Sequence, residues 1–190
     1  ELGLGAVQRF FEDQGKSDND ELSYLIYIYA LHQRWDHAAF KRIAFNEKIN
    51  PYQAANLLKA VTLFGETGKL QDYEEREVKL SVEILKNKII QSAVKEAGGV
   101  YWPETREQEW SWPGGKTEVT AHVMSALLVS GVSPSLTSQA LTTLSRDFNG
   151  DCWNSTKESG TVILAICDYL KGKSADFKTE GKAGFSLNGK

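Results

Sequence analysis

The sequence predicts an all-α fold made of helical hairpins, and three observations support that prediction. The chain has 190 residues, of which 41% are hydrophobic and 25% charged, as expected for a globular domain with one core. It contains 4 prolines, each placed where a helix would begin or a loop would run. Between them, apolar residues recur at i, i+3, i+4 and i+7, the spacing of one helix face.

Capping residues, prolines and glycines mark the predicted helices in order. Residues of capping type at 17–20 precede the first strongly periodic run, and Pro51 opens a later helix at its first position. Gly65, Gly131 and Gly172 follow the last periodic residues of three helices. The predicted helices are Leu4 to Gln14, Asn19 to Arg34, Asp36 to Asn46, Pro51 to about Gly65, Gln71 to Glu96, Thr117 to Ser130, Ser133 to Asp147 and Thr156 to Lys171.

Strongly apolar helices alternate with amphipathic ones, which predicts hairpins with a buried inner layer and an outer layer. The two most similar apolar helices begin near Glu118 and Gly160, and each follows a loop with Gly and Trp, Gly99 to Trp102 and Gly150 to Trp153. The spacing of these loops exceeds the period of tetratricopeptide and ankyrin repeats, and the other helix pairs are spaced irregularly. We therefore expect an α/α toroid, or part of one, and not an open solenoid.

Two segments leave the helical pattern. Alternating residues at Val100 to Trp102 and Glu109 to Trp112 predict a short β-hairpin near residues 99–113. From Lys173 onward the helical period is lost, and residues 184–190 indicate a possible β-strand at the C-terminus. We predict a toroid unit over residues 1–172, then a linker and the start of a β domain over 173–190. The start at Glu1, without an initiator Met, suggests a piece of a longer protein.

The charges and hydropathy exclude several function classes. The 22 Lys and Arg are interleaved with 25 Asp and Glu, for a net charge of -3, so the sequence offers no basic stripe for nucleic acid. No apolar run approaches the roughly 18 residues of a membrane span, so we expect no direct membrane insertion. Cys152 and Cys167 are too few for a disulfide framework.

The sequence offers little for a metal or cofactor site. Asp151, Cys152 and His122 could converge from different helices, but adjacent residues such as Asp151 and Cys152 send their side chains in different directions. We expect no metal, and Cys152 buried beside Trp153. No nucleophile elbow, P-loop or dinucleotide fingerprint occurs, so we expect no cofactor.

One alternative comes from the loop at residues 98–115, where carboxylates lie among tryptophans. This composition occurs in sugar-processing clefts, in which paired carboxylates act on the substrate and aromatic rings stack on it. Its carboxylates include Glu104 and Glu107. The possible ligand contacts are Trp102, Trp110, Trp112, Glu109, Glu118 and His122. Because tryptophans more often cover a helical core, a carbohydrate-binding or carbohydrate-active module stays the second interpretation.

Several segments resemble the thioester-containing, or complement-like, domain of the α2-macroglobulin family in its bacterial branch. The most specific are Trp112 with Glu118-Val-Thr-Ala121, and Trp153-Asn-Ser-Thr-Lys157 before an apolar helix that ends in Tyr169-Leu170. Further similarity lies at Tyr24 to Leu31, at Asn50 to Leu58, at Leu63 to Gly65 and at Ala126 to Leu128. The resemblance spans about Leu22 to Lys171 and implies the later part of that α/α toroid.

Members of this family that react with proteases carry Cys-x-Glu-Gln, whose Cys and Gln form an internal thioester. This chain has no such motif, because Ser155 and Leu170 stand three residues after its two cysteines. The resemblance therefore implies a non-catalytic structural domain of a large protease-trapping protein, without its own thioester, without a catalytic residue and without enzyme activity. It also implies neighbouring domains as partners, target proteases engaged through the parent, and a periplasmic, cell-envelope or extracellular location.

Overall fold

The fold is mostly α, as predicted, with one short antiparallel β-hairpin. A computed structural model describes residues 19–67, 70–103 and 115–172, together with Gly5 and Arg9. Its helices are α1 (Asn19–Leu31), α2 (His37–Ala44), α3 (Pro51–Thr67), α4 (Asp72–Gln91), α5 (Lys116–Val129), α6 (Pro134–Arg146) and α7 (Thr156–Gly172). The strands β1 (Val94–Glu96) and β2 (Gly99–Tyr101) lie between α4 and α5.

The helices form the two layers that their alternating character predicts. In the inner layer α1 packs on α3, α3 on α5 and α5 on α7. In the outer layer α2 and α4 pack on α3 and on each other, and α6 packs on α5. Residues 51–61 of α3 are all buried, because this helix has neighbours on every side. The described residues thus form consecutive helical hairpins, the arrangement expected for part of an α/α toroid.

Two tryptophans join the layers in the same way, and we call them the tryptophan braces. The Trp102 indole N–H donates to the Ile89 carbonyl of α4 at 2.7 Å, and its backbone N–H donates to Thr120 Oγ1 of α5 at 3.2 Å. The Trp153 indole N–H donates to the Leu144 carbonyl of α6 at 2.8 Å, and its backbone N–H donates to Ser159 Oγ of α7 at 3.1 Å. Each brace therefore ties the last turn of an outer helix to the next inner helix.

The β-hairpin contains the strand predicted at Val100 to Trp102, but in the described residues its partner lies earlier in the chain than predicted. The periodic run predicted as a helix to Glu96 ends at Gln91, and residues 94–96 form β1 instead. Val94 pairs with Tyr101 and Glu96 with Gly99, around a two-residue turn in which Ala97 and Gly98 have φ of 43° and 80°. Positive φ at both positions matches the twist of a tight hairpin. The partner strand predicted at Glu109 to Trp112 lies outside the described residues.

One further sequence prediction is wrong, and two others lie largely or wholly outside the described residues. Cys152 was predicted to be buried beside Trp153, but it is exposed and free, and the Trp153 ring packs instead on Phe148, with centroids 4.8 Å apart. Apart from Gly5 and Arg9, the helix predicted over Leu4 to Gln14 lies outside the described residues, as does the strand predicted at residues 184–190. None of the helices described is long and apolar enough to cross a membrane.

The tryptophan braces predict a graded loss of stability on removal of the indole N–H. Trp102→Phe removes the shorter of two hydrogen bonds to the Ile89 carbonyl, which then keeps only the one from Ser92 Oγ at 3.2 Å, and it leaves a void in the core, so we expect a loss of about 3 kcal/mol in the free energy of unfolding. Trp153→Phe, at the more accessible brace, should cost about 1–2 kcal/mol. Urea denaturation followed by circular dichroism measures both.

Trp35→Phe is the matched control, because the Trp35 indole N–H makes only a 3.4 Å contact with His37 Nδ1. We expect a smaller loss at Trp35 than at Trp102. Equal losses at Trp35 and Trp102 would mean that ring volume, and not the brace hydrogen bond, sets the stability.

Candidate functional site

Polar and aromatic side chains from all four inner helices meet on one face, and we call them the inner-layer polar cluster. Within each helix the members are three, four, seven or eleven residues apart, which are spacings of one helix face, so each helix contributes one stripe. The members are Tyr24 and Tyr27 of α1, Tyr52 and Lys59 of α3, Glu118, His122 and Ser125 of α5, and Lys157 and Asp168 of α7.

An ion pair between the first turns of α5 and α7 lies at one end of this cluster. Lys157 Nζ is 2.9 Å from Glu118 Oε1, and the Glu118 side chain is only 1% exposed. His122 Nε2 lies 3.9 Å from the same oxygen, one turn further along α5. Removing a carboxylate from water is costly unless a cation and hydrogen bonds compensate it. The position of Glu118 therefore depends on Lys157.

His122 is held as a neutral ring in the middle of the cluster. The edge of its ring meets Tyr52 at a centroid distance of 4.9 Å and Tyr24 at 6.3 Å, with interplanar angles of 83° and 88°. Burial, followed by the positive charges of Lys59 and Lys157, lowers the pKa of His122 to about 3. His122 therefore acts as a packed aromatic group at neutral pH.

Lys59 and Asp168 lie at the other end of the cluster. The Lys59 side chain crosses to α1, where Nζ sits 3.9 Å from the centroid of the Tyr27 ring. Burial lowers the pKa of Lys59 to about 8, against an opposing effect of Asp168. Asp168 accepts a hydrogen bond from Ser125 Oγ at 3.1 Å. Burial, with Asp168 and Tyr24 adding to it, raises the pKa of the Tyr27 hydroxyl.

The structure separates the six residues predicted as ligand contacts. Glu118 and His122 lie together in the polar cluster. Glu118 forms an ion pair with Lys157, and the His122 ring packs against Tyr24 and Tyr52. Trp102 is fully buried beneath α5, so neither face of its ring is open to a sugar. Trp110, Trp112 and Glu109 lie outside the described residues, as do Glu104 and Glu107.

The described part of the chain holds no group of three or more His, Cys, Asp or Glu side chains close enough to bind a metal ion. In particular, Asp151 and Cys152 are exposed, whereas only 11% of the His122 side chain is exposed. Convergence of these three residues, considered from the sequence, is therefore not seen.

Sequence reasoning missed Lys59, Lys157, Asp168 and Tyr27. Each lies in a helix with many apolar residues and belongs to no catalytic or binding motif. The one available signal is spacing, because Tyr52 and Lys59 lie seven residues apart, which is about two helical turns.

Comparison of the chain with protein-family models, with curated proteins and with solved structures found no match. The functional argument therefore rests on the residues and geometry given above.

His122 predicts a pH-dependent stability. Because its pKa is about 3 in the fold and about 6.5 in an unfolded chain, the unfolded state binds the proton first as pH falls. The stabilisation is complete above about pH 6.5 and is lost progressively as pH falls toward 3. At pH 5 we expect a loss of about 2 kcal/mol relative to pH 8.

Urea denaturation at pH 8, 6 and 5 measures this loss. His122→Gln should remove most of the slope, whereas His32→Gln, at an exposed position, should keep it. If both variants and the wild type lose the same amount of stability between pH 8 and 5, the pH dependence does not come from His122.

Proposed function

We propose that this chain is a non-catalytic structural domain of a large bacterial α2-macroglobulin-like protein that traps proteases, without a thioester motif of its own. The observation that carries the proposal is the Glu118–Lys157 pair. It joins the two sequence segments that most specifically resemble that family, Glu118-Val-Thr-Ala121 on α5 and Trp153 to Lys157 before and at the start of α7. The residues that carry the resemblance thus hold two inner helices in register.

The tryptophan braces support a role as a rigid body. Trp153 belongs to the same segment as Lys157, so the segment fixes the end of α6, the start of α7 and the ion pair to α5. A domain that moves as one unit when its parent rearranges needs such ties between layers. Neighbouring domains of the parent are its proposed direct partners, and proteases are engaged through the parent.

The proposed location, in the periplasm, the cell envelope or outside the cell, follows from the family resemblance alone. The carbohydrate alternative is not advanced further, because Trp102 belongs to the core and Glu118 to an ion pair. Its other residues, Trp110, Trp112 and Glu109, lie outside the described part of the chain.

The proposal predicts that both thiols of the isolated chain react with a thiol reagent without any prior treatment. Cys152 and Cys167 are exposed and free, and neither begins a Cys-x-Glu-Gln motif. Titration with an aromatic disulfide reagent should find two thiols per chain, with or without prior treatment with methylamine. Cys152→Ser and Cys167→Ser should each show one thiol. A thiol that appears only after methylamine would reveal a thioester and would contradict the proposal.

A second prediction concerns the parent protein. Cleavage of the parent by its target protease should leave amide hydrogen exchange of α3 and α5 unchanged, because the domain moves without opening. Exchange should change only on surfaces that meet neighbouring domains. Faster exchange throughout α3 and α5 after cleavage would show that the domain unfolds and would rule out the rigid-body role.

A further inference from the structure

A cavity of about 370 Å³ lies between the end of α2, the loop that follows it and the second half of α4. This volume is at the lower end of the range of small-molecule sites. Phe45, Ile49 and Ile84 form apolar parts of its wall. Because Phe45 and Ile84 are 38% and 37% exposed, the cavity opens to solvent. A small molecule with an apolar group can therefore enter it and cover apolar surface that the described residues leave in water.

Hydrogen bonds and core contacts hold both sides of this cavity in place. Ile49 is 3% exposed, and its backbone N–H donates to the Asn46 carbonyl at 3.0 Å. The Lys48 backbone N–H donates to Asn46 Oδ1 at 2.9 Å, which fixes the loop further. On the other side, the fully buried Leu85 and Ile89 anchor α4 in the core. The cavity is therefore preformed, and a preformed site lowers the entropic cost of binding.

Two opposite charges in the cavity wall have no ion-pair partner among the described residues. Glu47 follows the end of α2, and Lys88 lies in the last turn of α4. Other charges of α4 are compensated within the helix, as where Lys86 Nζ lies 3.1 Å from Glu83 Oε1. Because α2 ends at Ala44, the partial negative charge of its C-terminus adds to that of Glu47. The wall therefore offers an anionic group and a cationic group that do not pair with each other.

Carboxamides complete the polar side of the cavity. Asn87 and Gln91 line it one turn apart on α4, with Lys88 between them in the sequence. A carboxamide both donates and accepts hydrogen bonds, so these two side chains can bond to a carboxylate or to an ammonium group. The polar side therefore favours a ligand that carries several hydrogen-bonding groups over a plain hydrocarbon.

We infer that this cavity binds a free α-amino acid with a large apolar side chain. The carboxylate of the ligand pairs with Lys88, and its ammonium pairs with Glu47. Its side chain covers the exposed parts of Phe45 and Ile84. A zwitterion gives both wall charges a partner, whereas an apolar anion or an apolar cation would leave one of them unpaired. This binding site goes beyond the proposed structural function and does not depend on it.

Titration of the 190-residue chain with L-phenylalanine, followed by two-dimensional amide NMR, tests the inference. The amide signals of Ala44, Ile84 and Gln91 should shift and saturate, with a dissociation constant of roughly 1 mM. Ile163 and Leu164 of α7 are 53% and 68% exposed and lie outside the cavity wall. Their signals should not shift, which controls for adhesion to any exposed apolar side chain.

Analogues separate the contributions of the three parts of the ligand. The ammonium is missing from 3-phenylpropionate, the carboxylate from 2-phenylethylamine and the apolar side chain from glycine. The first two should each bind about two- to fivefold more weakly than L-phenylalanine, because each loses one partly exposed ion pair. Glycine should bind too weakly to saturate the shifts, because it covers no apolar surface.

Variants assign the two charges and the apolar wall, and thermal melts verify that each variant folds. Lys88→Met should weaken L-phenylalanine about two- to fivefold and should not weaken 2-phenylethylamine, which has no carboxylate. Glu47→Gln should weaken L-phenylalanine and should not weaken 3-phenylpropionate, which has no ammonium. Ile84→Ser should weaken all three aromatic ligands. Leu80→Ser is the matched control, because Leu80 is 60% exposed on the same helix but lies outside the cavity wall.

Three results would overturn the inference. The first is the absence of saturable shifts around the cavity, and the second is equal shifts at Ile163 and Leu164. The third is an affinity for L-phenylalanine that neither Lys88→Met nor Glu47→Gln lowers, because the cavity would then recognise the apolar side chain alone and not an amino acid.

Discussion

The hydrogen bonds of the tryptophan braces are the constraint on which the layered arrangement depends. An outer helix ends with backbone carbonyls that no residue of the helix can satisfy. Trp102 and Trp153 supply donors at the last turns of α4 and α6, at Ile89 and Leu144, and their own backbone N–H groups bond to the next inner helix. Each brace therefore sets where one hairpin stops and how the next one packs.

With the helices so placed, the inner layer must accommodate charge. The Glu118–Lys157 pair spans α5 and α7, and Lys59 reaches from α3 to the ring of Tyr27 on α1. A one-turn slip of any inner helix would separate a buried carboxylate or ammonium from its compensation, at a cost of several kcal/mol. The polar cluster therefore selects one register, whereas apolar side chains alone would tolerate several.

The sequence predicted the layers well because burial and period act over whole helices. Its main error, the run to Glu96, has a local cause: Val94 continues the apolar stripe of α4, yet it also begins an alternating strand. Ala97 and Gly98 at positive φ allow that strand to pair with its nearest neighbour, Gly99 to Tyr101, so a hairpin replaces the last helical turn. The Cβ of any other residue at position 99 would overlap Thr143 Oγ1, so Gly99 also lets β2 lie close to α6.

The site could not be predicted in the same way, because Lys59 acquires its surroundings from other helices. In the sequence it is one lysine between apolar residues; in the fold, Tyr27 and Asp168 come to it from α1 and α7. The contact of Lys59 with the Tyr27 ring is therefore a property of the assembled inner layer and not of the α3 sequence, and it adds to the polar contacts that select one register.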